Sequence, residues 1–191
     1  MSKRVILVDD SAWEQVAGRL RGIFSLHGFN VDVFNNVDEC AQFFDDKAAL
    51  CPADIFVVDV MMPPGTRYAN DETHDGLITG LYVARDIRER FPSVPIILWS
   101  GTSIDTVRLL AIHMEKKLTN CIFVRKPISA EKLLALIEGY LSNGKFAASW
   151  VKRVGSATAT KDGPSLQFDA CELSPLSPQK YGVANCGAKY H

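Results

Sequence analysis

Asp9 and Asp10 follow the apolar run RVILV, Asp59 closes IFVVD, Ser100 closes IILWS, and Lys126 follows CIFVR. Each polar residue stands at the carboxyl end of a short run rich in β-branched side chains. Three carboxylates brought together repel one another unless a cation neutralises them, and an all-oxygen donor set suits Mg2+. With a divalent ion beside it, Asp59 can attack phosphorus and form an acyl phosphate, whose oxygens need positive charge and hydrogen-bond donors. Lys126 offers the charge, Ser100 a hydroxyl, and Gly101 room for the incoming group. In-line transfer at such a site is chiefly positioning and charge neutralisation.

That chemistry requires the runs to lie side by side. Strands are expected at 4–8, 30–34, 55–59, 96–100 and 121–125, and amphipathic stretches lie between and after them. Trp13, Val16, Ala17, Leu20, Ile23 and Phe24 recur at helical spacing; Ser11 with Glu14 resembles a capping box, and His27-Gly28 a stop. Asn36 is a candidate cap for a helix over 37–48. A third helix is expected from Gly76 to Phe91, striped by Leu77, Leu81, Ala84, Ile87 and Phe91 and halted by Pro92. The fourth covers about 105–117. The fifth, 130–141, follows Ser129 and presents Leu133, Leu136, Ile137 and Tyr140. Five strand-then-helix repeats imply an α/β, doubly wound parallel sheet. Ligands of such sheets bind beyond the carboxyl ends of the strands, where the acids, the serine and the lysine stand.

Composition fits a soluble globular chain of 191 residues, 47% hydrophobic and 23% charged, with no apolar run long enough for a membrane span. Asp9-Asp10 interrupts the first apolar run before a signal-peptide core could form, so a cytoplasmic location is expected. Residues 1–144 hold 15 Lys and Arg against 19 Asp and Glu, and residues 145–191 hold 6 against 3. Neither balance suggests a nucleic-acid surface, and direct DNA binding is not expected. The domain is expected to occupy 1–144. The Ser-, Pro- and Gly-rich remainder, 145–191, reads as an extension without a recognisable output domain, in which Phe146, Trp150, Val151 and Phe168 offer packing surface. Cys40, Cys51, Cys121, Cys171 and Cys186 lack metal-ligand spacing and read as free thiols.

In chain order, ILVDDS, VVDVMMP, a delayed DG, IILWSG and FVRKPI resemble the motifs of response-regulator receiver domains of two-component signalling, CheY-like proteins, over about residues 3–143. The resemblance implies a flavodoxin-like (βα)5 fold with strand order 2-1-3-4-5. It implies that Asp59 is the phosphoacceptor, Asp10 a direct Mg2+ ligand, Asp9 a ligand acting mainly through water, and the Met61 carbonyl a further ligand. Ser100 and Lys126 would contact the phosphoryl group, the peptide before Pro127 would be cis, and Ser100 and Phe123 would form the switch. A sensor histidine kinase or a histidine phosphotransfer protein would be the donor. The downstream protein partner is unspecified, and a homodimer is compatible with the family. The chain itself would be no enzyme beyond its own phosphorylation and dephosphorylation.

Singly, these residues have plainer explanations: Asp10 as a helix cap, Lys126 as a solvated lysine, Phe123 as core. Their joint placement carries the functional reading. Two alternatives stay open, a phosphorelay intermediate and an aspartyl-nucleophile phosphohydrolase. The second lacks an acid two residues after the nucleophile, where Met61 stands. Between Pro63 and Asp75 the chain inserts PGTRYANDETH, 64–74, beside Asp59. The insertion is expected to shape access to Asp59 or to contact a partner. His74, among Asp71, Glu72 and Asp75, reads as part of an exposed polar loop rather than a metal ligand.

Overall fold

The computed structural model describes residues 2–10, 14–45, 53–110, 118, 120–144 and 172–173. Strands β1 (Lys3–Val8), β2 (Phe29–Phe34), β3 (Ile55–Asp59), β4 (Ile96–Ser100) and β5 (Cys121–Arg125) alternate with helices α1 (Glu14–Leu26), α2 (Val37–Asp45), α3 (Thr79–Arg90), α4 (Ile104–Leu110) and α5 (Ala130–Asn143). All the pairings are parallel, and these five strands stand in the order 2-1-3-4-5. The sheet is doubly wound, as the repeats predict.

The apolar runs explain the layering. Every residue of β3 and β4 is buried, because a parallel strand covered by helices on both faces has no solvent side. Alternate residues feed two cores. Ile6, Val8, Phe56, Val58, Ile96, Leu98 and Phe123 pack with α2 and α3. Val5, Leu7, Val57, Ile97, Trp99 and Val124 pack with α1 and α5.

Local signals act where expected at two helix starts. The Asn36 side chain accepts the Glu39 N–H at 2.8 Å, and Ser129 accepts that of Lys132. Ser11 and Trp13, the side chains of Val16 and Ala17, the expected helical residues 46–48 and 111–117, and the aromatics Phe146, Trp150 and Phe168 with Val151 lie outside what is described. Cys40 and Cys121 are buried free thiols, and burial pushes both thiols up to about 12. Cys51, Cys171 and Cys186 lie outside the described residues.

Two features depart from the sequence reading. Helix α3 begins at Thr79, not Gly76, because His74, Asp75 and Gly76 all have positive φ (52°, 56° and 93°), which no right-handed helix accommodates. Leu77 therefore falls outside the helix and is 41% exposed, while Leu81, Ala84, Ile87 and Phe91 are buried as the stripe predicts. A sixth strand, β6 (Glu172–Leu173), pairs in parallel with β5, placing Phe123 opposite Glu172 and Val124 opposite Leu173. Two residues from the extension thus cover part of an edge that a five-stranded sheet would leave open.

Candidate metal centre at the carboxyl rim

Sheet register alone assembles the site. Val8 pairs with Val58, so the next residues, Asp9 and Asp59, are neighbours at the rim. Asp59 pairs with Trp99, and Ser100 with Arg125, which places Ser100 and Lys126 one step beyond on the adjoining strands. One acceptor oxygen from each of Asp9, Asp10 and Asp59 lies within 4.8 Å of the others. Asp9 and Asp59 are buried at 3% and 4% exposure, whereas Asp10 is exposed.

Lys126 bridges the two buried acids, its Nζ donating to Asp9 Oδ2 at 2.9 Å and to Asp59 Oδ2 at 2.7 Å. The Lys126 N–H donates to the Ser100 carbonyl at 2.7 Å, and the Lys126–Pro127 peptide is cis. Asp59 Oδ1 accepts the Met61 N–H at 3.2 Å. Burial raises the Asp59 carboxyl to about 6; the bridge to Lys126 opposes that rise and the charge on Asp9 adds to it. Three carboxylates brought this close form an oxygen-only donor set of the kind that fits a hard divalent cation.

Ser100 is fully buried, and its Oγ accepts the Thr102 N–H at 3.2 Å. Gly101 has open space where a side chain would stand. Phe123 is 1% exposed within the α2–α3 core. Met62 is buried as a packing residue, but Met61 is 37% exposed and packs little. Sequence reasoning missed Gly80. A Cβ there would collide with the Asp59 carbonyl oxygen, and the Gly80 N–H donates to the Val60 carbonyl at 3.0 Å. The start of α3 therefore rests directly on the backbone that carries Asp59, and a glycine two residues into a helix was its only signal.

The insertion is an exposed polar loop only in part: Gly65, Thr66, Ala69, Asn70 and Glu72 are exposed, but Tyr68 and Thr73 are buried. Tyr68 is 2% exposed and joins the core between the sheet and α2–α3, its ring centroid lies 6.0 Å from that of Tyr82, and its hydroxyl donates to Asp86 at 2.9 Å. Arg67 donates to Asp86 and Asp45 and lies 5.2 Å over the Phe44 ring. Asp38 accepts the backbone N–H groups of Thr66 and Arg67, which hold its carboxyl below the ordinary range. His74, read as exposed, is half-buried, with Nε2 at 2.9 Å from the Leu110 carbonyl. The insertion thus fills the wedge between α2 and α3 and reaches α4.

No protein-family model matches the chain. It is 23% identical over 173 residues to the transcriptional regulatory protein CpxR of Klebsiella pneumoniae, a match covering 90% of this chain and 61% of that protein. The chain therefore spans less than two thirds of that relative's length. The beryllofluoride-activated NtrC4 receiver domain dimer aligns with a TM-score of 0.52 at 26% identity, over 74% of this chain and 98% of that one. The response regulator TrrA of Thermotoga maritima, in complex with Mg2+ and beryllofluoride, aligns with a TM-score of 0.50 at 23% identity, over 71% and 96%. The fold and the likenesses define a class: response-regulator receiver domains. This chain has the fold of that class. Among the described residues, no helix is long and apolar enough to cross a membrane.

Proposed function

We propose that Asp59 accepts a phosphoryl group from a phosphohistidine donor, with Mg2+ bound by Asp9, Asp10, Asp59 and the Met61 carbonyl. The observation that carries this reading is the convergence of three carboxylates at the strand ends, two of them bridged by Lys126. When bound, the ion would offset the clustered charge and bind phosphoryl oxygen. Asp59 supplies the nucleophilic oxygen. The new bond joins that oxygen to phosphorus as the phosphorus–nitrogen bond of the donor breaks, and the imidazole keeps the electron pair. Lys126 faces the developing charge, and the buried Ser100 hydroxyl turns from the Thr102 N–H toward the phosphoryl group.

The output is a change in binding surface, in which Ser100 and Phe123 couple the site to the face built from α4, β5 and α5. A kinase or phosphotransfer protein is the donor, and a protein partner or a second copy of the chain is the receiver of the signal. Domain limits of 1–144 and 145–191 belong to the same proposal, as does the absence of any enzymatic activity beyond self-phosphorylation and dephosphorylation. Incubation with Mg2+ and a small phosphodonor, followed by intact-mass measurement, tests the chemistry. One acid-labile phosphoryl group is expected on the wild type and none on Asp59→Asn. An unmodified wild type, or an adduct that survives in Asp59→Asn, would refute it.

A further inference from the structure

Trp99 occupies the rung of β4 directly opposite Asp59, is 7% exposed, and belongs to the core shared with α1 and α5. Its Nε1 is buried and has no hydrogen-bond acceptor. A leucine or methionine would fill an apolar position there without burying an unpaired donor, so packing alone gives no reason for an indole. What the indole adds is its face. Lys126 Nζ sits 5.0 Å from the ring centroid while donating to Asp9 and Asp59. The ammonium is thus held by two carboxylates and by the negative face of an aromatic ring.

These three contacts differ in what they survive. Bound Mg2+ would compete with Lys126 for Asp9 and Asp59, and phosphorylation would convert a charged Asp59 oxygen into the bridging anhydride oxygen of an acyl phosphate. The indole face is untouched by either event. Lysine has a long flexible stem and a strongly hydrated head group, so an ammonium released by its carboxylates would otherwise swing into water. We propose that Trp99 is a positioning residue that keeps the Lys126 ammonium at the phosphoryl site when its carboxylate partners are occupied. The proposal rests on the receiver reading of Lys126 given above.

A double-mutant cycle tests it. Wild type, Trp99→Phe and Trp99→Leu are compared, each with Lys126 and with Lys126→Met, for binding of beryllofluoride in Mg2+. Trp99→Leu is expected to weaken binding about 5-fold and Trp99→Phe about 2-fold, following the ring quadrupole. In the Lys126→Met background both changes should fall to near unity. Equal losses in both backgrounds, or a leucine variant that binds as the wild type does, would overturn the proposal. In EDTA the same six proteins unfolded in urea report the contact without metal or anion. Non-additive midpoints are expected and additive ones contradict it. A wild type that binds no beryllofluoride yet shows non-additive midpoints would instead count against the receiver reading and leave the Trp99–Lys126 contact standing.

Discussion

Two acidic clusters lie on either side of the stretch that follows β3, and they are built to opposite ends. At the rim, Asp9, Asp10 and Asp59 converge, and Lys126 reaches two of them. Around the insertion, Asp38, Asp45, Asp71 and Asp86 face Arg67, Arg85, backbone N–H groups and the Tyr68 hydroxyl. Burial raises the Asp59 carboxyl toward neutrality, whereas hydrogen-bonded backbone lowers that of Asp38. Burial works against the charge on Arg67, but its hydrogen bonds to Asp45 and Asp86 outweigh burial and strengthen its hold on its proton. Charge density alone therefore does not mark a ligand site. The insertion's neighbouring acids hold one loop conformation, whereas the rim's acids converge within 4.8 Å of one another at the strand ends.

The contrast can be broken most forcibly at Tyr68. Tyr68→Ala removes a buried ring and leaves Asp86 short of a donor, so a loss of about 3–4 kcal/mol in urea unfolding is expected. Its Mg2+ affinity should stay within about 2-fold of the wild type if the insertion is purely a brace. Arg67→Ala should cost about 1–2 kcal/mol, since Arg67 is only partly buried and Asp86 keeps Tyr68 and Arg85 as donors. A neutral result in urea would show the Arg67 contacts to be incidental.

The rim should respond in the reverse direction. A carboxyl whose folded-state value lies above its unfolded one binds its proton more tightly when folded, so ionisation costs stability as pH rises from about 4 through about 6. In EDTA, Asp59→Asn is expected to stabilise the chain by about 1–2 kcal/mol at about pH 7.5, allowing for the weakened Lys126 bridge. That advantage should shrink as pH falls toward about 4. A variant less stable than the wild type at both pH values would show that the acid is compensated after all. The smallest effect belongs to the solvent-facing pair His27–Glu138, half-exposed on both sides. His27→Ala should change stability by about 0.3 kcal/mol, and a larger loss would reveal packing the exposed geometry does not suggest.

How much of this was legible beforehand follows from the range of each interaction. The five strands and the placement of Asp9, Asp59, Ser100 and Lys126 at their carboxyl ends rest on patterns that repeat every rung, which a sequence displays openly, whereas the order of the strands came only from the resemblance to receiver domains. The α3 start was misplaced because Asp75-Gly76 looks like a helix entry until the positive φ of His74 and Asp75 is known. The insertion looked polar and exposed because its large apolar anchor is a single residue, Tyr68, and the charge of Arg67 is matched by acids 19 and 22 positions away. Gly80 and Trp99 escaped notice for a related reason. Each matters through a neighbour on another element, the Asp59 backbone for one and Lys126 for the other. A two-residue strand such as Glu172–Leu173 is too short to show any periodicity.

The most direct test of the contrast is a calorimetric Mg2+ titration of the wild type, Asp10→Asn and Arg67→Met at near-neutral pH. One ion per chain is expected for the wild type, with affinity reduced by at least about 10-fold in Asp10→Asn and unchanged in Arg67→Met. Equal binding by the wild type and Asp10→Asn, or a loss confined to Arg67→Met, would place the cation in the insertion cluster and contradict the account.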